Sequence, residues 1–242
     1  MEIITSADNA RIKKYASLKM KKYRDRYGLF IIEEKHMIEE ALSKKMVDTL
    51  IVREGCSNPF DIEPIYVTDN IIKKLSDNVS LNDYIAVCKM PVNNKLQGNR
   101  FMVMENVQDP GNIGTIIRTA CSFGYDAVIL CEGCADLYNE KTVKATQGAI
   151  FHIPVLRLNI SDTYSLLKEN GCKVIATALR NSVPIKECEK YDKYAIVVGN
   201  EGQGLSEYAQ SNADAVVKIE MDKFESLNVA IAAAITMYYF KY

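Results

Sequence analysis

The 242-residue sequence has no apolar run long enough to cross a bilayer and no signal-like or transit-like start, so a reducing cytoplasm is its expected setting. Histidine is scarce. The two present, His36 and His152, fit no Ser-His-Asp pattern, which excludes a hydrolase built on a serine nucleophile. Neither a G-x-G-x-x-G run nor a Gly-Lys-Ser/Thr phosphate loop occurs, which argues against dinucleotide and triphosphate binding. The seven cysteines are odd in number and scattered, so no disulfide framework is expected. Cys131 and Cys134 form a C-x-x-C pair, but a structural zinc site needs two further ligands at suitable spacing, and no metal is expected. Low-complexity tracts are missing too; with 48% hydrophobic and 25% charged residues the chain is globular.

A net charge of -1 excludes nucleic-acid binding by overall charge, but the average hides an asymmetry. Residues 1–30 hold eight basic side chains (Arg11, Lys13, Lys14, Lys19, Lys21, Lys22, Arg24, Arg26) against Glu2, Asp8 and Asp25, a local +5. Such a cluster is either a solvated helix face or a phosphate-binding patch. The length suits two domains. Residues 1–92 alternate short helical and strand patterns: a basic helix near 9–22, a strand at 28–32, a helix around 34–44, strands at 49–53, 65–67 and 84–89, and a helix at 69–76 capped by Thr68. Residues 93–100 are polar and contain Gly98, which reads as a linker.

From residue 101 to 242 apolar strands alternate with helices, the pattern of a largely parallel α/β sheet. Ligands bind such sheets beyond the carboxyl ends of the strands, which directs attention to the loops after Met104, Ala178, Val198 and Ile219. In the first loop, Asp109-Pro110-Gly111 is a turn, Asn112 is a candidate helix cap, and Arg118 follows within two turns. A helix start beside a guanidinium suits an anion, whereas the plainer reading is a cap and a surface pair. The second, Gly199-Asn200-Glu201-Gly202-Gln203-Gly204, lets the backbone approach a ligand closely, and Glu201 suits a hydroxyl or a cation better than a pyrophosphate. The third carries Ser226 and Asn228 at the start of a terminal helix, Leu227 to Phe240, that is apolar on almost every side. Such a helix is covered all round, either within a monomer core or by a second copy of the chain in a homodimer.

In order, Asn112-x-Gly114-x-x-x-Arg118-Thr119-Ala120, Gly199-x-Glu201-x-x-Gly204-Leu205-Ser206 and Ser226-Leu227-Asn228-Val229 resemble the three motifs of the SpoU/TrmH branch of the SPOUT methyltransferases. That family methylates ribose 2′-hydroxyls of RNA with S-adenosylmethionine. The resemblance covers roughly 101–242, while residues 3–45 look like the L30e-like substrate-binding domain of many members. It implies an α/β sheet with a deep trefoil knot, a homodimer, and an RNA substrate, ribosomal RNA ahead of transfer RNA; a non-catalytic RNA-binding protein on the same scaffold is the other reading. By position it implies cofactor contacts at Gly199, Ile219, Leu227 and Ala178. Arg118 would activate the hydroxyl, with Asn112, Glu201, Ser226 and Asn228 positioning it and the ribose. Arg180 and the basic amino-terminal helix would grip the RNA.

A guanidinium with a pKa above about 12 is an unnatural base, so Arg118 is expected to grip a phosphate and stabilise a developing alkoxide. The chain departs from the family pattern at Glu220 and Lys223, where proline and glycine are usual, at Lys144 in place of an arginine, and at Glu34 in place of a glycine.

Overall fold

The computed structural model describes residues 3–78, 80–92, 95–223 and 226–242. Asn93 and Asn94 of the expected linker, and Phe224 and Glu225 of the third loop, lie outside the described residues. The chain divides into two packing units, residues 1–92 with 138–151, and residues 93–137 with 152–242.

The first unit is built on the sheet β1-β4-β3-β5-β2, formed by Ile3–Ile4 (β1), Leu29–Ile32 (β2), Val47–Arg53 (β3), Pro64–Val67 (β4) and Tyr84–Lys89 (β5). β4 runs parallel to β1 and β3, and β5 is antiparallel to β3 and β2. Ile12, Ile51, Ile71, Ile72, Ile85 and Val87 meet in its core. The expected helix at 9–22 is two helices, α1 (Ala10–Ser17) and α2 (Lys21–Tyr27). Arg24 sets the corner between them: its buried guanidinium donates through Nη1 to the Leu18 and Lys19 carbonyls, each at 2.8 Å. α3 covers Lys35–Ser43 and α4 covers Asp69–Leu75. Thr68 precedes α4 without capping it, because its hydroxyl donates to the Asn70 side chain rather than accepting a backbone N–H.

The second unit holds seven strands in the order β10-β12-β9-β11-β6-β7-β8, every pair parallel. They are Arg100–Met104 (β6), Ala127–Leu130 (β7), Val155–Arg157 (β8), Lys173–Thr177 (β9), Val183–Pro184 (β10), Tyr194–Val198 (β11) and Ala215–Lys218 (β12). The central strands are buried on both faces, which is why they read as unbroken apolar runs. Helix α5 (Pro110–Ser122) follows β6. After Leu137 the chain leaves this unit for α6 (Glu140–Thr146), which packs on β2 of the first unit. Residues 138–151 fall inside the stretch expected as one domain, 101–242, yet they join the first unit because Tyr138 and Phe151 bracket Phe30, with ring centroids 4.8 and 5.9 Å away.

Helices α7 (Ile160–Glu169), α8 (Glu207–Ser211) and α9 (Val229–Lys241) complete the second unit. Ser226 and Leu227 lie ahead of α9 rather than in it. α9 packs on α5 and β11 through Ala233, Met237 and Phe240, while Ile231, Ile235 and Tyr238 face outward. Within one chain, the helix is therefore covered on one side only.

Candidate active site

Because β6, β9, β11 and β12 are parallel neighbours in one sheet, the loops that follow them emerge at the same edge. Three of those loops enclose a cavity of about 500 Å³ lined by all four expected cofactor residues, Ala178, Gly199, Ile219 and Leu227, together with Glu201 and Ser226. Arg180 and Lys218 also line it.

The glycine loop after β11 folds back on itself. Asn200 and Gly204 exchange backbone hydrogen bonds of 3.1 and 2.9 Å, and Gly204 takes a φ of 72°, the region glycine favours. A Cβ on Gly199 would stand 2.5 Å from the Gly204 carbonyl, so this position admits no side chain. The Asn200 side chain braces the turn by accepting from the Gly202 and Gln203 N–H groups at 2.9 and 3.0 Å and donating to the Asn106 carbonyl at 3.0 Å. Beside it, the buried Glu105 carboxylate accepts from both the N–H and the hydroxyl of Ser206. Neither Asn200 nor Glu105 stood out in sequence. Their signal is position: a polar side chain at a strand end and one next to a glycine turn.

The functional side chains of the three motifs come together in part. Asn112 is not the cap of α5; Asp109 is, accepting the Asn112 N–H at 2.8 Å with Pro110 in the first helical turn. That leaves the Asn112 amide free to act as a bridge. Its Nδ2 donates to Glu201 Oε1 at 2.7 Å, and its Oδ1 accepts from Asn228 Nδ2 at 3.1 Å. Asn228 in turn caps α9, its Oδ1 accepting from Ala230 and Ile231. A carboxylate, two amides and a helix start are thus fixed in one chain of hydrogen bonds beside the cavity.

Arg118 and Ser226 stand apart from this chain. Arg118 lies on α5 six residues beyond Asn112, about 9 Å along the axis and turned by roughly 240°. It is exposed and makes no ion pair or side-chain hydrogen bond among the described residues. Ser226 lines the cavity and bonds to none of the three. Glu220, one of the unusual residues of the third motif, pairs with Lys186 at 2.8 Å. The C-x-x-C thiols turn to separate partners, Cys131 to the Thr163 hydroxyl at 3.6 Å and Cys134 to the Met104 carbonyl at 3.2 Å. Burial pushes the Cys131 thiol up to about 12.

A wholly parallel sheet with a cavity of this size at its carboxyl edge has the layout of an α/β protein that binds a small molecule beyond its strand ends, and the comparisons narrow the class. Residues 99–238 match the SpoU rRNA Methylase family, and residues 9–86 match the MRM3-like substrate binding domain. The chain is 37% identical over its whole length to the whole of the 23S rRNA (guanosine(2553)-2′-O)-methyltransferase RlmP of Bacillus subtilis. Among solved structures, the AdoMet-bound rRNA methyltransferase from Sinorhizobium meliloti superposes with a TM-score of 0.86 at 27% identity, covering 98% of this chain and 96% of that one. A TrmH-family RNA methyltransferase structure from Porphyromonas gingivalis gives 0.85 at 29% identity, with 96% and 97% covered. The chain belongs to the SpoU rRNA methylase family.

Proposed function

We propose that the protein transfers the methyl group of S-adenosylmethionine to a ribose 2′-hydroxyl of 23S ribosomal RNA. The observation that carries this reading is the Glu201–Asn112–Asn228 chain beside the cavity of Ala178, Gly199, Ile219 and Leu227. The cavity falls within the roughly 300–1,000 Å³ range of small-molecule sites, and its walls fit this cofactor. Aliphatic side chains at Ile219 and Leu227 suit an uncharged adenine, and Arg180 and Lys218 offer cations to a carboxylate. Bound there, S-adenosylmethionine supplies an electrophilic methyl group on a sulfonium.

A ribose hydroxyl is a weak nucleophile at neutral pH, so the protein has to place it in line and stabilise the charge that develops on its oxygen. Asn112 and Asn228, locked by their mutual bond, orient the ribose; Glu201 keeps the Asn112 amide in one orientation. Arg118 holds the neighbouring phosphate and stabilises the charge developing on the 2′-oxygen while staying protonated, and the hydroxyl proton passes to solvent water at this exposed position as the oxygen–methyl bond forms. Ser226 contributes a hydroxyl at the cavity wall.

Three finer features belong to the same reading. The exposed side of α9 supports a homodimer, and Arg118, on the helix that packs against α9, then stands at its seam. The order β12-β9-β11, with the segments after β11 and β12 both reaching the Ala178 loop, is consistent with a trefoil knot. Ribosomal RNA as substrate agrees with a cytoplasmic setting and with the full-length likeness to the Bacillus enzyme.

The test is transfer of labelled methyl to unmodified 23S, 16S and transfer RNA by wild type and Arg118→Ala. The expected result is label at a 2′-oxygen of 23S RNA, with the guanosine named for the Bacillus relative as the first nucleotide to map, and its loss in the variant. Label confined to transfer RNA overturns the substrate; absence of both label and cofactor binding overturns the reaction.

A further inference from the structure

The eight basic residues of the amino-terminal segment differ in what they touch. Lys13, Lys19 and Lys21 are paired with Asp8, Asp77 and Asp25 at 2.9, 2.7 and 2.5 Å, and Arg24 is buried against carbonyls. Lys14, Lys22 and Arg26 have no carboxylate partner among the described residues. They lie over tyrosine rings instead: Lys14 and Arg26 at 5.0 and 5.5 Å from the Tyr27 centroid, and Lys22 at 4.8 Å from that of Tyr23. A ring face attracts a cation without neutralising it, so three full charges remain available at the surface.

Tyr23 and Tyr27 are themselves a pair. Four residues apart on α2, their rings are 6.3 Å between centroids and 13° from parallel. Tyr27 packs against the core of the first unit, which holds one ring from behind, and Arg24 fixes the corner that aims the helix. The surface therefore carries two half-buried, near-parallel rings with cations over them, and no aliphatic side chain among Lys21–Tyr27. That composition does not suit a lipid surface, which asks for an apolar helix face. It matches a polyanion that has flat faces to offer. Bases in a duplex keep their faces stacked on each other, whereas unpaired bases do not.

We propose that Tyr23 and Tyr27 form a stacking platform for unpaired RNA bases, with Lys14, Lys22 and Arg26 swinging off the rings onto the flanking phosphates. This rests on the reading of the protein as an RNA-modifying enzyme, and gives its substrate the character of a loop or single-stranded segment at this contact.

The test uses the full chain and fluorescence anisotropy with a labelled 12-nucleotide single-stranded RNA and the same strand in a duplex. Tyr23→Leu/Tyr27→Leu is expected to weaken single-strand binding about tenfold or more and duplex binding less than twofold, with the salt dependence unchanged. Tyr23→Phe/Tyr27→Phe, which keeps the rings, is expected to bind as wild type, so a loss through misfolding is told apart from a loss of stacking. Replacing Lys14, Lys22 and Arg26 by Ala is expected to lower the slope of log affinity against log salt by about 2, since each single-strand phosphate contributes about 0.7. The proposal is overturned if the Leu pair binds the single strand as wild type, if it loses strand and duplex equally, or if vesicles rich in phosphatidylserine bind as tightly as the RNA with the same sensitivity to the Leu pair. Loss of stacking in a protein that methylates no RNA would defeat the proposed reaction and leave the platform standing; normal methyl transfer with unchanged binding by the Leu pair would do the reverse.

Discussion

Asn112 uses both ends of its amide inside the protein, as donor to Glu201 and acceptor from Asn228, and an amide is a neutral side chain that can do both through two separate atoms. Asn112→Asp keeps the shape but replaces the donor with a carboxylate facing the Glu201 carboxylate. The expected result is a fall of about 100-fold in single-turnover methyl transfer, the size seen when one preorganised donor is removed, with cofactor affinity within twofold of wild type; an unchanged rate would take Asn112 out of the site. The glycine loop gives a second contrast at this scale. Gly199→Ala places a Cβ 2.5 Å from the Gly204 carbonyl, backbone that cannot swing aside, whereas at Gly202 the nearest atom is Asn200 Oδ1 at 3.6 Å, an ordinary contact. Overpacking of that kind costs about 1–3 kcal/mol, so Gly199→Ala is expected to raise the cofactor dissociation constant at least tenfold by calorimetry and to lower the melting temperature. Gly202→Ala should leave both near wild type, and equal effects would remove the steric account.

Helices and strands show what pattern reading can and cannot reach. The strands at 101–104, 127–130 and 195–198 were legible because burial on both faces leaves an unbroken apolar run. β1 and β10, with two residues each, and β8, with three, are too short to carry any period. The break between α1 and α2 was hidden because basic residues run straight through it; what makes the corner is the reach of Arg24 back to two carbonyls, a tertiary fact. The motif order pointed to three loops whose residues the fold brings together, but the pairing of Asn112 with Glu201 spans 89 positions, and the shift of the cap to Asp109 that frees Asn112 appears only in three dimensions. Glu33, just beyond β2, ties that strand to the turn after α4 by accepting from Ser76, Asn78 and Asn82. Burial pushes its carboxyl above the ordinary 4.5, and the nearby Glu140 adds to the rise while the Ser76 and Asn82 donors and the Lys144 ammonium oppose it. The folded protein therefore holds this proton more tightly than the unfolded chain, and the stability it contributes below pH 4.5 is lost as pH rises through the folded value. Urea unfolding at pH 4.5 and pH 8 is expected to show a smaller drop for Glu33→Gln than for wild type; equal drops would mean that Glu33 does not titrate in this window.

For the whole molecule, the outward side of α9 poses the largest open demand. Ile231, Ile235, Tyr238 and Tyr242 follow one another at spacings that put them on one helix face, and they are 51, 40, 57 and 70% exposed. A continuous apolar face of this kind marks an interaction surface, and in the proposed homodimer a second copy would supply the matching stripe by simple twofold symmetry, each helix covering the other. The neighbouring α5 carries Arg118, whose side chain makes no ion pair or hydrogen bond among the described residues, on the same helix as the Asn112 bridge. Pairing through α9 would thus place two guanidiniums at one seam and make catalysis depend on assembly. Ile235→Glu sets two carboxylates against each other across the twofold axis while changing a side chain that is already 40% exposed in the monomer, so folding should survive. Sedimentation at micromolar concentration is expected to show a dimer for wild type and a monomer for Ile235→Glu, with methyl transfer down more than tenfold and an unchanged far-ultraviolet circular dichroism spectrum. A wild type that sediments as a monomer would refute the pairing, and a monomeric variant with full activity would show that Arg118 works within its own chain.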